Sequence, residues 1–105
     1  MTKKLITLEE LHQIVSSRID NKEPDSYSYK IAKAGLEKST RKVGEEALEV
    51  LIASFIDEKR NNEKSHQELV GELADLYYHT IILMAQRGVK IEEVLQELTK
   101  RNSKK

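Results

Sequence analysis

Three carboxylates fall within five residues in Lys42-Val43-Gly44-Glu45-Glu46-Ala47-Leu48-Glu49-Val50, just ahead of the apolar run Val50–Ile56. A second acidic unit, Glu72-Leu73-Ala74-Asp75, also leads into an apolar run, Thr80–Ala85. On a helix Glu45, Glu46 and Glu49 share an arc of about 100°, and Glu72, Asp75 and His79 share one face through their spacing. Any one such pair is ordinary on a solvated helix, where like charges cost only about 0.2–0.5 kcal/mol. Acids that face each other across two helices are different: at about 4 Å and an effective dielectric near 20, two charges repel by about 4 kcal/mol. Such a cluster persists only with a cation or bound protons. All-oxygen donors in a chain without cysteine select a hard ion, Mg²⁺ or Mn²⁺. Magnesium held by few carboxylates keeps positions open for water and phosphates, and Lys38, Arg41 and Lys42 project from much the same face as the acids. The combination suits metal-assisted attack on a phosphoanhydride.

These residues must be positioned by helices. Thr7 with Glu10 has the form of a capping box, and Leu8, Leu11, Val15 and Ile19 recur at helical spacing, predicting a first helix over Leu8–Asp20. Asn21–Asp25 connects it, through Pro24, to a short helix from Tyr27 to about Ala34, capped by Ser26 and left through a left-handed Gly35. A long third helix is expected from about Leu36 to Lys59, with Gly44 inside it where something packs close to the backbone. Arg60–Lys64 reads as a polar connection. Ser65 with Glu68 reads as a second capping box, opening a fourth helix from about His66 to Arg87 that Gly88 ends. Ile91, Val94, Leu95 and Leu98 mark a last amphipathic helix, and Arg101–Lys105 a frayed tail. The fold class is therefore all-α, four to five helices in one domain over 1–105.

The composition narrows the function. Lysine plus arginine and aspartate plus glutamate are both 18, so the net charge is zero, which argues against a surface made for nucleic acid or anionic membrane. No apolar stretch approaches the roughly 20 residues of a membrane span, the N-terminus does not form a signal peptide, and the absence of cysteine fits a reducing cytoplasm. Residues 50–56 and 80–85 are apolar around the whole helix circumference and ask for burial on every side. A chain this short cannot wrap both, so a homodimer or larger symmetric assembly is expected, unless Phe55 or Ile82 is a tolerated exposed residue.

Glu45-Glu46-x-x-Glu49 followed by Glu72-x-x-Asp75 resembles the signature of the MazG-like all-α nucleotide pyrophosphohydrolases. Ser26-Tyr27-x-x-Lys30, Gly35-Leu36-x-Lys38, the Lys42–Ala53 block, Glu72-x-Ala74-Asp75-Leu76-x-Tyr78-His79 and Arg87-Gly88-Val89 together resemble one family within it, the phosphoribosyl-ATP pyrophosphatases of histidine biosynthesis. The likeness covers nearly the whole chain. It implies a helical, dimeric, stand-alone enzyme, without the cyclohydrolase domain that some relatives carry, that cleaves the α–β phosphoanhydride of phosphoribosyl-ATP. By position it implies Glu45, Glu46, Glu49, Glu72 and Asp75 as metal ligands or water-orienting groups, and Lys30, Lys38, Arg41 and Lys42 as triphosphate ligands. Three features depart from the family: Ser39 replaces a usual aliphatic residue, Ser28 a common threonine, and the polar connection after Ile56 is longer. That connection is the one feature favouring a house-cleaning hydrolase of non-standard or deoxy nucleoside triphosphates. A non-enzymatic helical dimerisation module, with merely solvated acids, is the third possibility. His79 reads as a packing or ligand-supporting residue. Tyr27 and Tyr29 could stack on a purine or pack in the core, Tyr77 and Tyr78 read as core or interface, and His12 and His66 as solvent-facing.

Overall fold

The computed structural model describes residues 3–103 and contains five helices: α1 (Leu8–Asp20), α2 (Tyr27–Ala34), α3 (Leu36–Arg60), α4 (Glu63–Arg87) and α5 (Ile91–Asn102). No strand occurs among the described residues. No helix of the described chain is long and apolar enough to cross a membrane.

Local chemistry explains the boundaries. Thr7 accepts from the Glu10 backbone while the Glu10 carboxylate accepts from Thr7 N–H, closing the expected capping box on α1. Ser26 caps α2 by accepting from Tyr29 N–H. Gly35 leaves α2 at φ +110° and ψ 168°; the positive φ requires glycine, but the backbone is extended rather than in the left-handed helical basin expected there. Gly88, at φ +70° and ψ 27°, does end α4 in that basin.

The connection between α3 and α4 is much shorter than the sequence suggested. Arg60 belongs to α3 and Glu63 already to α4, so only Asn61 and Asn62 join them. Asn61 takes the left-handed conformation at φ +48° and ψ 53°, which asparagine tolerates. Asn62, not Ser65, is the N-cap: its side chain accepts from Ser65 N–H, and Ser65 Oγ accepts from Asn62 N–H. Ser65 is buried and donates to Asp57 Oδ1 at 2.7 Å, tying the last turn of α3 to the first of α4. The extra length of this region is thus spent on helix. At the other end α5 runs on through Asn102 with Ser103 as its C-cap, so Arg101 and Asn102 are helical and not frayed; Lys104 and Lys105 lie outside the described residues.

The apolar core is formed where α1 and α2 pack against the C-terminal half of α4, with Ile91 at the start of α5 closing one side. Val15, Ile31, Ile81 and Ile82 are buried there, with Leu11, Ile19, Tyr78, Met84, Ala85 and Ile91 packed around them. The run 80–85 therefore finds its cover within the chain, and Ile82 is fully buried. The run 50–56 does not: Leu51, Ile52, Phe55 and Ile56 are exposed, Phe55 by 65 %. Gly44 likewise has open space around its would-be Cβ, so nothing of its own chain packs close to it, contrary to the sequence expectation. Two of the family departures are core positions: Ser39 is buried and donates to the Gly35 carbonyl, and Ser28 is buried against the Ser26 hydroxyl.

Candidate functional site

The hairpin of α3 and α4 meets along two stripes of covered residues. On α3 these are Ser39, Val43, Glu46, Val50, Ala53 and Asp57; on α4 they are Ser65, Leu69, Glu72, Leu76, His79 and Leu83. Both alternate spacings of four and three, the pattern of helices packed side by side with small crossing angles. A seam of this kind is normally aliphatic. Here Glu46, Glu72 and His79 occupy its layers, and a buried carboxylate needs a partner or a function.

Glu46 is the deepest acid, 7 % exposed. Burial first, then the Glu49 charge and that of Asp75, raise its pKa, while His79 and Lys42 pull the other way. The Glu72 carboxyl, half-buried one helix across, is raised by desolvation and then by Glu49, Asp75 and Glu46, with a hydrogen bond to Asp75 adding to the effect. These four acids, two from each helix, therefore feel one another across the seam. Glu45 is set apart. It turns back towards the preceding turn, pairing with Lys42 Nζ at 3.2 Å and with Arg41 Nε at 3.9 Å.

The expected basic residues divide in two groups. Lys42 links the acids, reaching Glu46 at 4.0 Å as well as Glu45, and its pKa is raised chiefly by the Glu45 hydrogen bond, so it stays cationic. Arg41 is spread between Glu37 and Glu45. Lys38, half-buried, and Lys30, exposed, form no ion pair among the described residues, which leaves both ammonium groups free for an anion.

A groove of about 520 Å³ runs from the acids towards the α3–α4 turn. Glu49 and Glu72 stand at its head, Ile52, Ala53 and Ile56 line its side, and Arg60, Ser65 and Glu68 close its far end. Arg60 and Glu68 carry no functional signal in the sequence, where a charged residue of a polar stretch looks the same in a groove as on a solvated surface.

His79 is buried, and both ring nitrogens are engaged. Nδ1 lies 2.9 Å from the Asp75 carbonyl, which can only accept, so Nδ1 carries the proton. Nε2 of the neutral ring then accepts from the Tyr27 hydroxyl at 2.7 Å. His79 is thus a supporting residue, and Tyr27 is neither simple core nor a free stacking platform. Tyr29 is half-buried with the Lys33 ammonium 5.9 Å from its ring centroid, Tyr78 is half-buried against Tyr27, and Tyr77 is exposed. His66 is exposed as expected, but His12 is half-buried and donates through Nε2 to the Val89 carbonyl at 2.8 Å, joining α1 to the turn before α5.

The donor set fits a hard divalent cation: four facing carboxylates, no thiolate, and a histidine whose nitrogens are already committed. Burial raises both Glu46 and Glu72, and the neighbouring acids, Glu49 and Asp75 foremost, raise them further; that added repulsion is what a cation would relieve. As the side chains stand, no group of three or more His, Cys, Asp or Glu among the described residues has closed into an ion cage. The arrangement is an open acidic seam beside free lysines, suited to gathering an ion together with a polyphosphate.

Comparison with known proteins gives a consistent result. The family profile described as "Phosphoribosyl-ATP pyrophosphohydrolase" matches residues 8–102. A phosphoribosyl-ATP pyrophosphatase of Sulfurisphaera tokodaii is 42 % identical over 94 residues, which cover 90 % of this chain and 93 % of the relative. Proteins of the same name from Bacillus cereus and Clostridium acetobutylicum are 37 % and 36 % identical, covering 93 % and 92 % of this chain and 85 % and 82 % of theirs.

Proposed function

The chain belongs to the phosphoribosyl-ATP pyrophosphohydrolase family, and from that premise we propose that it hydrolyses the α–β phosphoanhydride of phosphoribosyl-ATP, releasing phosphoribosyl-AMP and pyrophosphate in histidine biosynthesis. The observation that carries the reading is Glu46, an acid buried in a helix seam opposite Glu72 and Asp75, with Lys42 beside it. Glu46, Glu49, Glu72 and Asp75 would hold Mg²⁺, or Mn²⁺ in its place. The ion supplies charge neutralisation and a more acidic water. Lys30 and Lys38 bind the triphosphate, and Lys42 and Arg41 keep Glu45 turned towards them, so that basic and acidic groups meet at the scissile bond. Burial and neighbouring acids raise the proton affinity of Glu46 and Glu72, which suits accepting a proton from water. Acting in amino-acid biosynthesis, the enzyme would work in the cytoplasm.

The active form is a homodimer. The chain exposes 8167 Å², whereas a compact monomer of 12.1 kDa exposes roughly 6000 Å². Its radius of gyration is 15.8 Å, against about 13 Å for a compact domain of this length. Part of the excess is apolar surface on the outer side of the hairpin. Leu48, Leu51, Ile52 and Phe55 on α3, and Val70, Leu73 and Tyr77 on α4, form exposed apolar stripes at helical spacing. A second hairpin laid on these stripes completes a four-helix bundle.

The deciding measurement is pyrophosphate release with Mg²⁺, comparing phosphoribosyl-ATP with ATP, dUTP and dCTP, and with Glu46→Ala and Glu49→Ala as controls. Preference for phosphoribosyl-ATP, lost in both variants and on chelation, is expected. Preference for a deoxynucleotide would refute the substrate, and metal-independent release would refute the site.

A further inference from the structure

The Tyr27 hydroxyl reaches from α2 to a histidine of the α3–α4 seam beside the acids. It lies 2.7 Å from His79 Nε2, and the ring is within electrostatic range of Lys42, Glu46 and Asp75. Its position is fixed by packing. The Tyr27 and Tyr78 rings stack with centroids 6.1 Å apart, and both meet the His79 ring edge to face, at 5.5 and 5.8 Å. Yet Tyr27 is 44 % exposed, so little of the fold depends on burying it. The imidazole it holds is 7 % exposed and bonded to the Asp75 carbonyl at its other nitrogen.

We propose that Tyr27 is a positioning residue for the hydrolytic site: its hydroxyl pins His79, and the pinned imidazole holds in register the turn of α4 that carries Asp75. The inference rests on the proposed hydrolysis. Without the hydroxyl, the buried Nε2 has no partner in the described chain, and a neutral ring left with an unpaired acceptor rotates or changes tautomer to find one. Either movement releases the proton that Nδ1 gives to the Asp75 carbonyl, at the turn of α4 carrying the acid. Burial keeps the phenol protonated well above neutral pH, ahead of the opposing pull of Lys42, so the donor is always present. The arrangement matches the way side chains behind ion-binding residues orient them, and loss of such a partner typically weakens ion binding or activity about 10- to 100-fold.

The test is Tyr27→Phe, which keeps the aromatic triangle and removes only the hydroxyl. With phosphoribosyl-ATP, kcat should fall about 10-fold while KM changes less than about 2-fold. In the absence of substrate, the Mg²⁺ concentration that half-saturates the thermal shift should rise by about the same factor. His79→Gln alone, and combined with Tyr27→Phe, should give the same loss as Tyr27→Phe, because the two side chains act as one unit. An unchanged kcat with only a lower melting temperature would mean a structural bond and would overturn the proposal. A raised KM at constant kcat would also overturn it, making Tyr27 a direct substrate contact. If the wild type released no pyrophosphate, the proposed function would fail by itself. The Mg²⁺ titration would then decide on Tyr27: equal shifts in wild type and Tyr27→Phe overturn the positioning role.

Discussion

Glu46→Gln separates a functional acid from a structural one. The side chain is 7 % exposed, and burial together with Glu49 and Asp75 outweighs His79 and Lys42, so the surroundings favour the neutral form. An amide of the same shape satisfies that preference permanently. The ion pair it forfeits is long, 4.0 Å, and Lys42 keeps its closer partner Glu45 at 3.2 Å. In metal-free protein the variant should therefore be as stable as the wild type or more so, with a gain of about 0.5–2 kcal/mol, the range typical of relieved charge repulsion. The opposite is expected with Mg²⁺. At 100 times its dissociation constant, the ion stabilises the wild type by about 2.7 kcal/mol. For a domain of this size that raises the melting temperature by about 10–20 °C. Losing one anionic ligand weakens binding about tenfold, removing about 1.4 kcal/mol of the shift, and pyrophosphate release should drop at least about 100-fold. Thermal melts with and without Mg²⁺, paired with pyrophosphate release, read both effects. A variant that loses more than about 2 kcal/mol without metal, yet keeps the full Mg²⁺ shift and the activity, would refute the reasoning.

Ile82→Ala removes the fully buried centre of the core; a loss of about 2–5 kcal/mol is expected in chemical denaturation, with substrate preference unchanged in the fraction that stays folded. Phe55→Glu places a charge on the exposed α3 stripe, where Phe55 is 65 % exposed in the single chain. Light scattering should then report a monomer that retains its helical circular dichroism. The pH dependence of metal-free protein has a definite sign. Glu46 and Glu72 titrate above the ordinary carboxyl value of 4.5 in the folded state, so above that value the native chain binds more protons than the unfolded one, and the stability they contribute falls as pH rises through their raised values. Saturating Mg²⁺ should flatten that slope, and a slope of the same size in Glu46→Gln would disprove the assignment to Glu46.

Much of this was legible in the residues. Leu8–Asp20 and Tyr27–Ala34 follow from apolar periodicity and from hydroxyl caps, which are local devices. The facing of Glu46 and Glu49 by Glu72 and Asp75 follows from helix geometry once an antiparallel hairpin is assumed. The seam itself was also readable: Ser39, Val43, Glu46, Val50, Ala53 and Asp57 carry the alternating spacing in the sequence. It is obscured because polar residues sit where a hydrophobic pattern is sought, and the more conspicuous apolar stripe faces outward. The α3–α4 junction is hidden in the sequence because a polar stretch looks the same whether it is solvated helix or loop. The choice of Asn62 over Ser65 as cap depends on a left-handed Asn61 that composition does not reveal. The cover on residues 80–85 comes from α1, α2 and Ile91, and the Tyr27–His79 bond joins positions far apart in the chain. Such long-range pairings are set by packing, and no local pattern announces them.

The two-residue turn at Asn61 and Asn62, locked by Asp57 and Ser65, makes the hairpin a ruler. Glu49 and Glu72 stand at nearly equal distances from it, one up each arm, as do Glu46 and Asp75. An odd insertion in one arm would advance that helix by about 1.5 Å and turn it by about 100° per residue, carrying the acids out of phase. Matched additions of about seven residues to both arms would return each side chain to its face. The bundle can therefore grow or shrink beyond the acids in paired helical units without rewriting the chemistry, and lineages that differ in length at this end need not differ in reaction.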